Sequence, residues 1–363
     1  MNKIRIRLFM VLALLISVFG FATNMLAQDS VDVVVLLPDS ASSARWEADD
    51  RRFLAEAFEE AGVSYSIVNA EGDRATQITQ AEQAITNGAK ILLMVNLDSG
   101  SGAAIIALAR EAGVKVIDYD RLTIEGDGAD FYVSFDNESV GRLQGQGLVA
   151  AVTAAQEAGT IEGTPQVAVL NGSPTDNNAT LFRNGYFSVI QSYFDSGAWN
   201  LVAEQSVPEW DNQQALIIFE QMQTDHPEIN AAIAANDGLG QAVISARQNA
   251  GLDFIPVTGQ DATVGGIQNV LAGRQSMTVY KAIRAEARAA AGLAIAIVTN
   301  NTPAIELLAN GSVNNGTNDV PAILLVPVSV TSNNVTETVI ADGFRTWEEI
   351  CVGDFEAYCP ADR

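Results

Sequence analysis

Short β-branched runs alternate with helix-length amphipathic stretches from residue 31 to about residue 298, and this alternation leaves few folds open. Residues 31–37 are an apolar run, followed by a polar loop and a helical pattern over 44–61 with Phe53, Leu54, Ala57 and Phe58 on one face. Gly62 ends that helix. Strands are expected at 63–69, 91–95 and 114–119, with helices over 75–86 and 103–112 between them. After a strand at 131–135 a second series begins: helix 140–158, strand 166–170, helix 181–194, a strand near Leu201, helix 213–223, strand 231–234, helix 239–250, strand 254–258, helix 264–271 and strand 277–280. An Ala-rich helix over 282–298 follows, then an Asn-, Gly- and Thr-rich loop over 299–319, a late β segment at 322–330 and a polar, acidic tail. Such βαβα order predicts an α/β fold with parallel sheets flanked by helices, and 363 residues suggest about two domains.

The first 27 residues read as a signal peptide. Lys3, Arg5 and Arg7 form a basic start, residues 8–21 an apolar core, and cleavage is expected after Ala27. The core is short for a span of about 20 residues, which favours export over anchoring. The full chain carries a net charge of −24, and loss of the basic leader makes it more acidic still. Such a surface repels nucleic acid and anionic lipid. Cys351 and Cys359 are the only cysteines, and in an exported chain a disulfide between them is expected.

Enzyme signatures are scarce. His226 is the sole histidine, in a helix-end loop, so neither a His-based triad nor a multi-His zinc site is available. Gly145-Gln146-Gly147-Leu148-Val149-Ala150 fits a dinucleotide pattern only on paper, because it lies inside a helical stretch and follows no strand. The chain reads as a non-enzyme without cofactor or metal, and its many carboxylates keep one alternative open, a carbohydrate-processing hydrolase that works through a carboxylate pair alone. Polar residues instead gather where ligands collect in open α/β sheets, just beyond the strands' carboxyl ends. Asp120-Arg121 follow one strand, Asp176 and Asn178 another, Asn236 a third, Asp261 a fourth and Lys281 a fifth. Arg121 could simply neutralise Asp120, and Lys281 could simply open a helix; their recurrence favours a polar pocket. Planar, charged partners suit the hydroxyls of a sugar, and flat apolar rings suit its C–H faces. Trp46, beside Arg45, and Trp210 both lie in polar surroundings rather than in an apolar pattern, which fits stacking better than packing.

Several segments together resemble the periplasmic sugar-binding proteins of ABC transporters, most of all the D-xylose-binding proteins. They are Ser43-Ala44-Arg45-Trp46, Val116 through Arg121, Phe131 through Glu138, Gly172 through Ala179, Asn236-Asp237, Gly259 through Ala262 and Met277 through Lys281. The resemblance implies two Rossmann-like lobes joined by a three-segment hinge. It places 28–138 plus 282–310 in the first lobe, 139–281 plus 311–345 in the second, and 346–363 in a tail without a counterpart. It also implies that Trp46 and Trp210 sandwich a monosaccharide whose hydroxyls bond to Asp120, Arg121, Asp176, Asn178, Asn236, Asp261 and Lys281, with Arg45 adjacent. The expected ligand is D-xylose, the expected partner an ABC permease outside the cytoplasmic membrane, and the expected state a monomer. Ser42 through Trp46 are also similar to broader aldose-binding proteins for glucose, galactose or arabinose. A chemoreceptor-docking signal binder shares the same fold and compartment and stays open.

Overall fold

The computed structural model describes residues 31–361 and Arg363, so the expected leader lies outside the described residues. The strands are β1 (Val33–Leu37), β2 (Tyr65–Asn69), β3 (Ile91–Met94), β4 (Lys115–Tyr119), β5 (Phe131–Phe135), β6 (Gln166–Asn171), β7 (Asn200–Ser206), β8 (Ala231–Ala234), β9 (Thr278–Tyr280), β10 (Gly311–Asn314), β11 (Asp319–Leu325) and β12 (Val328–Val330). The helices are α1 (Arg51–Ala61), α2 (Arg74–Thr86), α3 (Ser99–Glu111), α4 (Asn137–Glu157), α5 (Asn177–Asp195), α6 (Asn212–Asp225), α7 (Asp237–Asn249), α8 (Val264–Leu271), α9 (Ile283–Val298), α10 (Thr302–Leu308) and α11 (Trp347–Ile350).

The first lobe is built on a seven-stranded sheet in the order β10-β11-β5-β4-β3-β1-β2, and the second on a three-stranded parallel sheet, β7-β6-β8. All neighbours in the larger sheet are parallel except β10 and β11. Strand β1 shows why its run is apolar throughout. Val33, Val35 and Leu37 pack on one face with Phe53, Leu54 and Phe58 of α1, while Val34 and Leu36 pack on the other with Ala81 and Ile105. A strand covered by helices on both faces has no polar side to alternate with. The second lobe has its own core, in which Val167, Val169 and Ile233 meet Phe182, Tyr186, Phe219 and Leu239.

Three crossings join the lobes: β5 into α4, β9 into α9, and β11 into β12, which pairs antiparallel with β9. Several helices start on side-chain caps just past a strand. Asp98 accepts from Ser101 N, Asp136 from Ser139 N, Asp176 from Asn178 N and Asn236 from Leu239 N; such caps contribute about 1 kcal/mol each. Helices α4 and α5 cross at Gly141 and Gly185, where a Cβ on either would strike the other helix's backbone. That close approach lets Asn137, at the start of α4, donate to Asn178 Oδ1 at 2.8 Å.

Four expectations need correction. Residues 311–325 do not belong to the second lobe: β11 runs parallel to β5, with Ala322 opposite Tyr132, so it extends the first lobe's sheet. The edge of β5 attracts it, and Val320 and Ala322 bury against Leu122 and Tyr132. Residues 322–330 are therefore two strands in different sheets. The stretch 299–319 is not all loop, because Asn301 caps α10 and β10 pairs with β11. Finally, 254–258 supplies a single bridge, Val257 to Ala232, instead of a strand. Pro256 has no N–H with which to extend the ladder.

Beyond β12 the chain packs where the lobes meet: Val335, Val339, Phe344 and Ile350 share a cluster with Phe53 and Leu54 of the first lobe and with Ala262 and Ile267 of the second. Cys351 and Cys359 form a disulfide that closes the tail. No helix among the described residues is long and apolar enough to cross a membrane.

Candidate functional site

The turns after the strands put side chains where straight backbone would not. Asp120, Trp210 and Asp261 all have left-handed backbone, with φ of 62°, 57° and 92°. Non-glycine residues in such conformations cost on the order of 1–3 kcal/mol and concentrate at functional sites. The surroundings hold each turn. Asp120 N donates to Val133 O at 2.8 Å, and Asp120 O accepts from Ser134 Oγ at 2.8 Å and Tyr132 Oη at 3.1 Å. Asp261 N donates to Val279 O at 2.8 Å. Trp210 Nε1 donates to Asp176 Oδ2 at 3.1 Å, and Gly172 leaves room for the indole, since a Cβ there would run into its six-membered ring.

Arg45 is the hub of the charge network. It donates to Asp50 through Nε at 2.7 Å and Nη2 at 2.8 Å, to Asp120 Oδ2 at 2.7 Å and to Glu286 Oε2 at 2.7 Å. Tyr119 Oη adds a bond to Asp50 at 2.6 Å. Burial opposes the Arg45 charge, but Asp50, Asp120 and Glu286 outweigh it and hold the guanidinium well above its usual range. Glu286 shows the reverse balance: burial outweighs Arg45 and pushes its carboxyl well up. Burial also works to raise Asp120, yet Arg45, Lys281 and Arg121 prevail and keep it below the usual carboxylate range. Lys281 Nζ lies 3.1 Å from Asp261 and 3.9 Å from Asp120. Although burial disfavours its charge, those carboxylates hold its ammonium above the ordinary value. Arg121 Nε lies 3.1 Å from Asp176 Oδ2, and Asn178 Nδ2 donates to Asp120 Oδ1 at 3.1 Å. Asp120 belongs to the first lobe and Asn178 to the second, so this last bond spans the cleft.

All ten residues singled out from the sequence line one small, tight cavity between the lobes: Arg45, Trp46, Asp120, Arg121, Asp176, Asn178, Trp210, Asn236, Asp261 and Lys281. Each lobe contributes one indole, and both indoles are buried, Trp46 to 2% and Trp210 to 5% exposure. Trp46 Nε1 donates to Ser42 Oγ at 3.2 Å, and the Arg45 guanidinium lies 4.5 Å from the Trp46 ring. Phe182 meets Trp210 edge-on, with centroids 6.3 Å apart. Asp176 and Asn236 serve twice, since both also cap helices whose positive ends point toward the cavity. A wider cleft opens outside the cavity and shares Ser42, Arg121, Asp176 and Trp210 with it.

Sequence reasoning missed Phe182 as a cavity-lining residue and Asp50 and Glu286 behind it, while Ser42, Ser43 and Gln260 entered it only as neighbours of Trp46 and Asp261, without a role of their own. Glu286 left one signal: it is an acid on the apolar face of the Ala-rich helix α9, among Ile283, Ala287 and Ala290. His226 is apart from the site, on the surface beside Glu228.

Comparison with known proteins agrees with this architecture. The periplasmic binding protein domain matches residues 33–302. The chain is 36% identical over 332 residues to the D-xylose-binding periplasmic protein of Escherichia coli (strain K12), covering 90% of this chain and 95% of that protein. It is 33% identical to a multiple sugar-binding periplasmic protein of Azospirillum brasilense, covering 88% of this chain and 91% of that one. A carbohydrate transporter solute binding protein from Chloroflexus aurantiacus, solved in complex with D-glucose, superposes with a TM-score of 0.78 at 30% identity, covering 88% of this chain and 98% of the other. With two lobes, three crossings and a polar cavity between them, this chain belongs to the periplasmic binding protein family.

Proposed function

We propose that this chain is the extracytoplasmic receptor of an ABC sugar importer: it captures a monosaccharide, D-xylose, between its lobes and delivers it to the permease without chemical turnover. The observation that carries this reading is the interlobe cavity, in which each lobe supplies one indole and several charged or amide side chains. Trp46 and Trp210 stack on the sugar's C–H faces. Asp120, Arg121, Asp176, Asn178, Asn236, Asp261 and Lys281 bond its hydroxyls, and charged partners make the stronger hydrogen bonds. Arg45 holds Asp120 in place. Closure about the three-segment hinge buries the ligand and removes water from those bonds, and the closed, monomeric receptor then docks on the permease. The 36% identity to the Escherichia coli D-xylose-binding protein supports xylose. A second reading, broader aldose binding, draws on the multiple sugar-binding relative and the glucose-bound neighbour.

A thermal-shift panel of D-xylose, D-glucose, D-galactose, L-arabinose and D-ribose tests both, because a ligand that binds only the native state raises the melting temperature. A rise with xylose alone supports the first reading, and a rise with several aldoses supports the second. No rise with any sugar rejects both. Trp46→Ala is expected to abolish the sugar-induced rise while the sugar-free protein still folds.

A further inference from the structure

Most polar heads around the cavity are already committed to one another. Arg45 serves three carboxylates, Arg121 faces Asp176, Lys281 faces Asp261, and Asn178 bridges Asn137 and Asp120. Among the described residues, three cavity-lining atoms have no hydrogen-bond partner, Arg121 Nε, Asp261 Oδ1 and the Gln260 carboxamide oxygen, and of these only that of Gln260 also lacks an ion-pair partner. Gln260 is 2% exposed. Its backbone is fixed, since Gln260 O accepts from Asp237 N at 3.0 Å and the next residue, Asp261, is pinned to Val279. Gln144 and Gln275 also have an unpartnered carboxamide oxygen, but neither lines the cavity. Both are fastened through the amide nitrogen, Gln144 to Ala234 O at 3.1 Å and Gln275 to Asp237 Oδ1 at 2.8 Å. A buried carbonyl left without a donor is unfavourable, so a residue built this way waits for a donor from outside the protein.

We propose that Gln260 is a further ligand-binding residue whose carboxamide oxygen accepts a hydrogen bond from a sugar hydroxyl next to Asp261. This rests on the sugar-receptor reading above. Among the cavity's carboxylates and cations, it is a neutral acceptor, so it adds a bond for one hydroxyl without altering the balance of charge around Arg45 and Lys281.

Gln260→Met keeps the length of the side chain and removes the acceptor; Gln260→Leu is a second, differently shaped replacement. Calorimetric titration with D-xylose and with D-glucose, alongside melting of the sugar-free proteins, separates the possible roles. The expected result is that Kd for the sugar the wild type binds rises about tenfold in both variants. The sugar-free melting temperature is expected to hold or rise, because an unpartnered buried carbonyl has been removed. A Kd within twofold of wild type in either folded variant overturns the proposal. So does a drop in sugar-free melting with the sugar-induced increment retained, which would mark Gln260 as a packing residue. If the wild type binds no sugar, the receptor reading fails first and Gln260 fails with it; if the wild type binds and the variants bind equally well, only the Gln260 assignment fails.

Discussion

Gly172→Ala tests how Trp210 is seated. A Cβ at Gly172 would stand within 2.5 Å of three atoms of the Trp210 six-membered ring, whereas ordinary contact begins near 3.4 Å. The indole must therefore retreat by about 1 Å or more. It has little freedom to do so: Trp210 is buried, its Nε1 is bonded to Asp176 at 3.1 Å and its backbone is left-handed. Gly172 itself is not left-handed, so alanine adds bulk there without backbone strain. Overpacking of this kind costs about 1–3 kcal/mol. With an unfolding entropy of about 2.1 cal/mol/K per residue, a chain of this length loses roughly 1.5–4 °C in melting temperature. Under the proposed stacking of Trp210 on the sugar, a displaced ring loses roughly 0.5–1.5 kcal/mol of contact, up to about tenfold in Kd. Scanning calorimetry and titration with D-xylose measure the two effects. The decisive experiment is the double-mutant cycle with Trp210→Ala, because contacting residues are non-additive. Once the indole is gone, Gly172→Ala is expected to cost almost nothing. An equal penalty in both backgrounds would refute the claim that Gly172 exists to seat Trp210.

Two further predictions concern buried charge. Arg45→Ala leaves Asp50, Asp120 and Glu286 without their shared partner, so it is expected to cost about 3–5 kcal/mol in urea unfolding of the sugar-free protein; a loss below about 1 kcal/mol would show that the carboxylates re-pair elsewhere. Asp118 is fully buried, and burial raises its carboxyl to about 7 despite the bonds from Thr123 N and Oγ1. Between about pH 4 and 7 the unfolded chain has released this proton and the folded chain still holds it, so stability falls as pH rises through that window and levels off above it. Asp237, also raised to about 7, acts with the same sign. Urea midpoints at about pH 5 and pH 8 are therefore expected to differ less in Asp118→Asn than in the wild type, and an unchanged difference would remove Asp118 from the account.

Local chemistry made much of this protein legible before any coordinates. A strand buried on both faces is apolar throughout, and several of the helices that follow start on a capping side chain, so many βα units and the polar residues at their junctions could be read directly. Asp120, Asp176, Asn236 and Asp261 were visible because they occupy those junctions. Long-range pairing was not legible in the same way. Whether β11 joins the sheet of the first lobe or the second depends on which edge is free, and nothing within residues 319–325 states that. Asp50 and Glu286 lie in helical stretches 236 residues apart in sequence and look like solvated charges until Arg45 draws them together. Gln260 stands beside Asp261 in the sequence, but only folding buries its carbonyl without a partner. Sequence alone determined the elements and the positions where they could present a ligand site, because periodicity and capping act over a few residues. Tertiary structure decided which lobe each segment joined and which charges neutralise one another, because those outcomes depend on contacts between segments far apart in the chain.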